Sequence, residues 1–226
     1  MRILFEQQLE VPVNIENDSR AMTYGEYMHL GKDADKNMIF INLSWGLGMG
    51  MILGGELYYG KSGFSGEIGH FPVLDNNLIC RCGKVGCLET GASGSALHRM
   101  ILEKISSGRK SSLAKIFAQK GEIHLNDILD AVKNEDVLAI ECIETVGSTL
   151  GQGLAGVINI FNPGLVVIGG RLIVGKDYLM LPIKTAVNRY SLSKVSSDTR
   201  FKFSELGLKA AGVGDCLLSR SKLLGI

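Results

Sequence analysis

Residues 66–89 read GEIGHFPVLDNNLICRCGKVGCLE. His70, Cys80, Cys82 and Cys87 crowd into this one loop, which takes three of the chain's five cysteines. A Cys₃His set closes a tetrahedral zinc site. Gly83 and Gly86, between the last two cysteines, let the backbone fold tightly around an ion. Glu67 and Glu89 flank the loop, so a metal that pins it would also fix two acidic side chains in place. A disulfide framework fits poorly. The cysteine count is odd, no secretory leader is expected, and clustered Cys and His in such a context favour a metal. Cys142 and Cys216 lie in apolar helical contexts and are expected in the core.

The rest of the chain sets bounds. Its 226 residues suffice for one substantial domain or two lobes. The formal net charge of +1 provides no overall basic field for nucleic acid. MRILFEQQLE is too polar for a signal peptide. The longest apolar stretch, 154–168, is broken by Asn159, Asn162 and Pro163, so no membrane span is expected and the cytoplasm is the default compartment.

The pattern predicts an α/β order. Residues 2–9 read as the tail of a helix, VPVNIEND (11–18) as a short strand delivering Asn17 and Asp18, and 19–31 as a helix capped by Asp18 or Ser19. MIFINLS (38–44) reads as a buried strand. Residues 46–60 read as a glycine-rich turn, a strand, a Gly54-Gly55 hairpin turn and a third strand. Residues 91–136 look helical with polar loops. A long helix over 139–161 carries Gly147, Gly151, Gly153 and Gly156. Each costs about 1 kcal/mol relative to alanine, which points to close approach of another backbone or a ligand. LVVIGG (165–170) reads as a buried strand of parallel type. A helix near 176–190, a strand near 201–206 and a helix near 208–223 follow.

Three further places carry chemistry. Asp18 could accept a proton from a hydroxyl that attacks a phosphate, although helix capping alone also explains an Asn-Asp pair. The turn SWGLGMG (44–50) could offer backbone N–H groups to an anion through Gly46 and Gly48, although a hairpin also needs glycine. Gly169-Gly170 ends a strand where α/β sheets tend to bind ligands, here a nucleotide.

Together IENDSRAMTYGE, SWGLGMG, GEIGH, CRCGKVGCLE and INIFNPGLVVIGG resemble the ROK family of repressors, open reading frames and kinases, in the family's order and over most of the chain. The resemblance implies the α/β actin-like ATPase (ribonuclease H-like) fold, two lobes around a cleft. It implies structural zinc on His70, Cys80, Cys82 and Cys87. It also implies a sugar held by Asn17, Asp18, Glu67, His70 and Glu89, with Asp18 matching the family's catalytic base. His70 would then serve both metal and sugar through its two ring nitrogens.

The departures from the family set the functional expectation. ROK kinases open with a D-x-G-x-T phosphate loop, which this chain lacks. Their second phosphate loop resembles L-G-T-G-x-G, where this chain has Leu43-Ser44-Trp45-Gly46-Leu47-Gly48. An indole stands where a small hydroxyl would face phosphate. This pattern resembles the repressor branch of NagC/XylR type, without its helix-turn-helix. The expectation is a sugar-binding effector and oligomerisation domain of a transcriptional repressor, a homodimer or homotetramer that meets operator DNA only through the absent helix-turn-helix. Its ligand would be a sugar or sugar phosphate. In this division residues 1–30 are a remnant of the first lobe and its connection. Residues 31–226 form the large lobe, with the C-terminal helix packing back toward the first. The alternative is an ATP- and Mg-dependent hexose or N-acetylhexosamine kinase represented by its larger part.

Overall fold

Residues 2–225 are described by a computed structural model. The apolar run MIFINL forms β1 (Met38–Leu43), buried along its whole length. The chain turns at Ser44–Gly46 and returns antiparallel as β2 (Leu47–Leu53), with Met38 opposite Ile52 and Leu43 opposite Leu47. Gly54 and Gly55, at φ +64° and +93°, make the tight turn into the short β3 (Glu56–Leu57). β4 (Leu165–Gly169) lies parallel to β1 on its other side, and β5 (Arg200–Phe203) lies parallel to β4. The sheet order is therefore β3-β2-β1-β4-β5. Helices cover both faces, so β4 and, apart from Asn42, β1 are apolar throughout rather than alternating.

The helices are α1 (Arg2–Leu9), α2 (Asp18–Leu30), α3 (Gly94–Ser106), α4 (Ser112–Lys120), α5 (Leu125–Lys133), α6 (Val137–Phe161), α7 (Lys176–Tyr190), α8 (Ser193–Ser196) and α9 (Ala210–Leu224). The two-residue period of β1 divides its side chains between two layers. Ile39, Ile41 and Leu43 join Val166 and Ile168 in a large core with α3 to α7. Met38 and Phe40 join Leu165 and Val167 on the opposite face, against Met22 and Leu30 of α2 and Ala210 of α9. The buried carboxylate of Glu26 ties these parts together. It accepts bonds from the Ser204 hydroxyl (2.6 Å) and the Glu205 backbone N–H (2.7 Å), just beyond β5.

Gly147 and Gly151 of α6 mark close packing against α7 rather than a ligand. A β-carbon on Gly151 would collide with the carbonyl oxygen of Ile183 and lie 2.8 Å from the β-carbon of Ala186, both on α7. One on Gly147 would lie 3.1 Å from the Leu179 carbonyl oxygen. Gly156 faces open space.

Three expectations are corrected. Residues 11–17 form no strand. The sheet's ladders are filled by other segments, and this stretch runs as irregular backbone into α2. The cap of α2 is Asn17, not Asp18 or Ser19. Asn17 is extended (φ −72°, ψ 137°) and its side-chain oxygen accepts the Arg20 N–H at 3.2 Å. Cys142 is buried as expected, but Cys216 is exposed on the outer face of α9.

Candidate functional site

The loop that follows β3 folds back on itself through short pairings, Pro72 with Cys87 and Ile79 with Val85. The Cys80 N–H donates to the Lys84 carbonyl (2.7 Å), and the Gly83 N–H to that of Cys80 (2.8 Å). Gly83 and Gly86 take φ of +83° and +74°, which L side chains disfavour. This geometry brings His70, Cys80, Cys82 and Cys87 together, with one ligand atom from each lying within 4.8 Å of the others. Cys82 and Cys87 sulfurs are 3.6 Å apart, and Cys80 Sγ is 3.6 Å from His70 Nδ1. A tetrahedral ion with metal–sulfur bonds of about 2.3 Å has sulfur–sulfur edges of roughly 3.8 Å. The four residues could therefore hold a metal ion. Burial, then the adjacent thiols, pushes the Cys87 thiol up to about 12. A cation among the three sulfurs would reverse that balance.

The metal-type cluster and the cleft share His70. Its Nδ1 faces the sulfurs, while Nε2 points toward Glu67, 3.9 Å from Oε2. Immediately after Cys87 the chain makes a single helical turn, Leu88–Thr90, which delivers Glu89. Leu88 is fully buried beneath Gly153 of α6, where a larger residue would displace it. Glu89 is itself buried. Its Oε2 accepts the Leu47 N–H at 3.0 Å, and Oε1 lies 3.6 Å from Arg81 Nη2.

Asp18 stands at the start of α2. Its Oδ1 accepts the Ser19 N–H (2.7 Å), and its Oδ2 accepts the Asn42 side-chain N–H (3.2 Å). Asn17, Asp18, Glu67, His70 and Glu89, five residues from three separate segments, line one cavity of about 350 Å³. Sequence reasoning missed Ser19, Asn42, Ser44, Ser65 and Arg81, which line it as well. Asn42 was the one legible among these, as a polar residue interrupting an apolar strand. It is nearly buried and bonds to Asp18, Ser19 and Ser44 at once.

The glycine turn is engaged within the fold. Where Gly48 and Gly50 lack side chains, the Ser19 and Thr23 side chains of α2 pack. A β-carbon on Gly46 would lie 2.9 Å from Glu89 Oε2. The Leu47 N–H already serves the Glu89 carboxylate, and the Ser44 N–H serves the Gly46 carbonyl at 3.1 Å. Gly46 and Gly48 line the cavity, but Gly169 and Gly170 do not. Gly169 is buried over the Phe40 ring, and Gly170 lines a separate hollow with Asn126, Arg171 and Leu208. Among the described residues no helix is long and apolar enough to cross a membrane.

A mixed five-stranded sheet between two helical layers, with a polar cleft at the β1–β2 turn, has the α/β architecture of an actin-like ATPase fold. The chain belongs to the ROK family, whose model matches residues 2–222. It is 33% identical over 92% of its length to a glucokinase of Halalkalibacterium halodurans, covering 64% of that protein. A ROK family transcriptional regulator, homologous to the Escherichia coli MLC protein, superposes with a TM-score of 0.84 at 31% identity, over 97% of this chain and 55% of that one. A ROK glucokinase of Streptomyces griseus, in complex with glucose and AMPPNP, superposes with a TM-score of 0.86 at 28% identity, over 97% and 72%. The chain spans 64%, 56% and 52% of the first three curated relatives it matches.

Proposed function

We propose that this chain is the sugar-binding effector domain of a ROK transcriptional repressor. In this reading Asn17, Asp18, Glu67, His70 and Glu89 hold the sugar, and zinc on His70, Cys80, Cys82 and Cys87 holds the loop that carries them. The observation that supports a sensor over a kinase is the β1–β2 turn. Its Leu47 N–H is bonded to the Glu89 carboxylate, and Trp45 stands beside it. A phosphoryl group needs free N–H donors and positive charge at such a turn. Here it would meet an indole and a carboxylate that already faces the nearby cation, Arg81 at 3.6 Å. The three carboxylates of the cavity suit hydroxyl donors instead, since each can accept two or more O–H bonds. Sugar binding would act on DNA by favouring one of two lobe arrangements in the longer protein. Residues 1–30 would carry the chain across from the other lobe, and α9 would face it.

Likeness to glucokinases and the placement of Asp18 at the cavity support the second reading, a hexose kinase in which Asp18 is the base. One measurement tests the cavity that both readings share, and a second separates them. Calorimetry with glucose, xylose and N-acetylglucosamine should show binding of at least one. Glu67→Gln should weaken it roughly tenfold to a hundredfold, since hydrogen bonds to charged groups contribute about 1.5–3 kcal/mol, while metal content stays unchanged. Unaltered affinity would refute the assignment of the cavity. Phosphorylation of the bound hexose by the longer protein with ATP, at enzyme-like rates, would overturn the repressor reading.

A further inference from the structure

The cleft does not end at Trp45. Beyond the indole a second hollow of about 290 Å³ opens, and Trp45, Arg81 and Glu89 line both spaces. The first space is walled mostly by carboxylates, amides and hydroxyls, whereas the second adds the apolar Leu78, Ile79 and Ala96 together with Thr90, Ser95 and Arg99. Trp45 is the chain's only tryptophan, and 43% of it is exposed. It is nevertheless held in place. Its ring lies 5.7 Å from that of His98, whose Nε2 sits 2.8 Å from the Ile123 carbonyl oxygen. Its own carbonyl accepts the Ser95 N–H at 2.9 Å. The start of α3 can come this close only because residue 94 is glycine, where a β-carbon would lie 2.7 Å from the Ser44 carbonyl oxygen.

A fixed, half-open indole beside a guanidinium and a carboxylate suits one kind of ligand well. The C–H bonds of a pyranose ring lie favourably against the negative face of the indole, and its hydroxyls reach charged groups at the rim. We propose that the two hollows are two subsites of one carbohydrate site and that the ligand is at least a disaccharide. One ring would sit among Asn17, Asp18, Glu67 and His70, and the next would stack on Trp45, with Arg81 and Glu89 at the junction. This rests on the sugar-binding reading of the first cavity and extends it. It also accounts for an indole where the kinases of the family have a small hydroxyl.

The single tryptophan makes the test direct. The 226-residue chain is titrated with maltose, cellobiose, sucrose, xylobiose and N,N′-diacetylchitobiose, and with their constituent monosaccharides and glucose 6-phosphate. Trp45 emission and calorimetry are the readouts. The expected result is one disaccharide binding at least tenfold tighter than its monosaccharide, with a shift in Trp45 emission. Trp45→Ala, followed by calorimetry, should bring that ratio toward one. Ile79→Ser should reduce it too, and because Ile79 is exposed the change removes little buried surface, with retained metal content as the check on the loop. Monosaccharides binding as tightly as every disaccharide would overturn the second subsite and leave the first standing. Glucose 6-phosphate binding tighter than any disaccharide, with the advantage lost in Arg81→Gln, would make the second hollow an anion pocket and overturn the proposal. No binding of any sugar would sink both this inference and the sugar-binding reading.

Discussion

Replacing Gly151 with alanine, beside replacing Gly156, separates two reasons for a glycine in a helix. Both sit in α6, and both gain the same propensity, since alanine is about 0.8–1.0 kcal/mol more favourable than glycine in a helix interior. At Gly156 nothing lies within reach of the new methyl group, so Gly156→Ala should be stabilised by about 1 kcal/mol. At Gly151 the methyl group meets the Ile183 carbonyl oxygen and the Ala186 β-carbon. Backbone cannot rotate away as a side chain can, so α6 and α7 must separate. Overpacking of this kind costs typically 1–3 kcal/mol, with a backbone collision toward the upper end. Gly151→Ala should therefore be destabilised by about 1–2 kcal/mol net, leaving a gap of about 2–3 kcal/mol between the variants. For a domain of this size that gap separates their melting temperatures by about 4–12 °C. Paired urea and thermal unfolding would read it. Gly151→Ala proving as stable as the unmodified chain would refute the argument that helix contact, rather than chance, keeps glycine there.

Two further predictions concern the metal-type loop and a helix cap. Cys82→Ser should lose bound metal, measured by elemental analysis, and should unfold at lower denaturant, because metal-binding energy is largely folding energy. Unchanged metal content would remove the structural-metal assignment. Asp136 caps α6, accepting the Leu138 and Ala139 N–H groups and bonds from Ser111 and Ser112. Burial raises its pKa, but these donors outweigh burial and hold it below the ordinary 3.8. Asp136→Ala should lose about 1–2 kcal/mol at neutral pH. A depressed folded pKa contributes stability above about pH 4, and that contribution is lost as pH falls through the folded value. The gap between the variant and the unmodified chain should therefore narrow on acidification to pH 3. A gap that stayed constant between pH 7 and pH 3 would show that the carboxylate's charge contributes nothing.

The metal-type cluster was legible because its residues lie close along the chain. Ligand spacing and two glycines imply a tight loop before any tertiary contact is considered. The buried strands were legible for a similar reason, since strands covered on both faces must be apolar throughout. Residues 11–17 and Cys216 were misread, because short-range pattern cannot report whether a strand finds a partner or a helix face finds a cover. Asp18 was legible as a polar residue at a helix start. That it shares a cavity with Glu67, His70 and Glu89 depends on α2 packing on the sheet, through Gly48 and Gly50, across more than twenty residues of intervening chain.

The sequence by itself determined the ligand spacing of the loop, the buried strands β1 and β4, the long helices and the family. Tertiary structure decided what the glycines of α6 are for, where the Leu47 N–H points and what lies beyond Trp45. The division has a physical cause. Ligand type, turn geometry and burial pattern are properties of neighbours along the chain. Which donor is already engaged, and which aromatic face stays open, depends on atoms brought together only by packing.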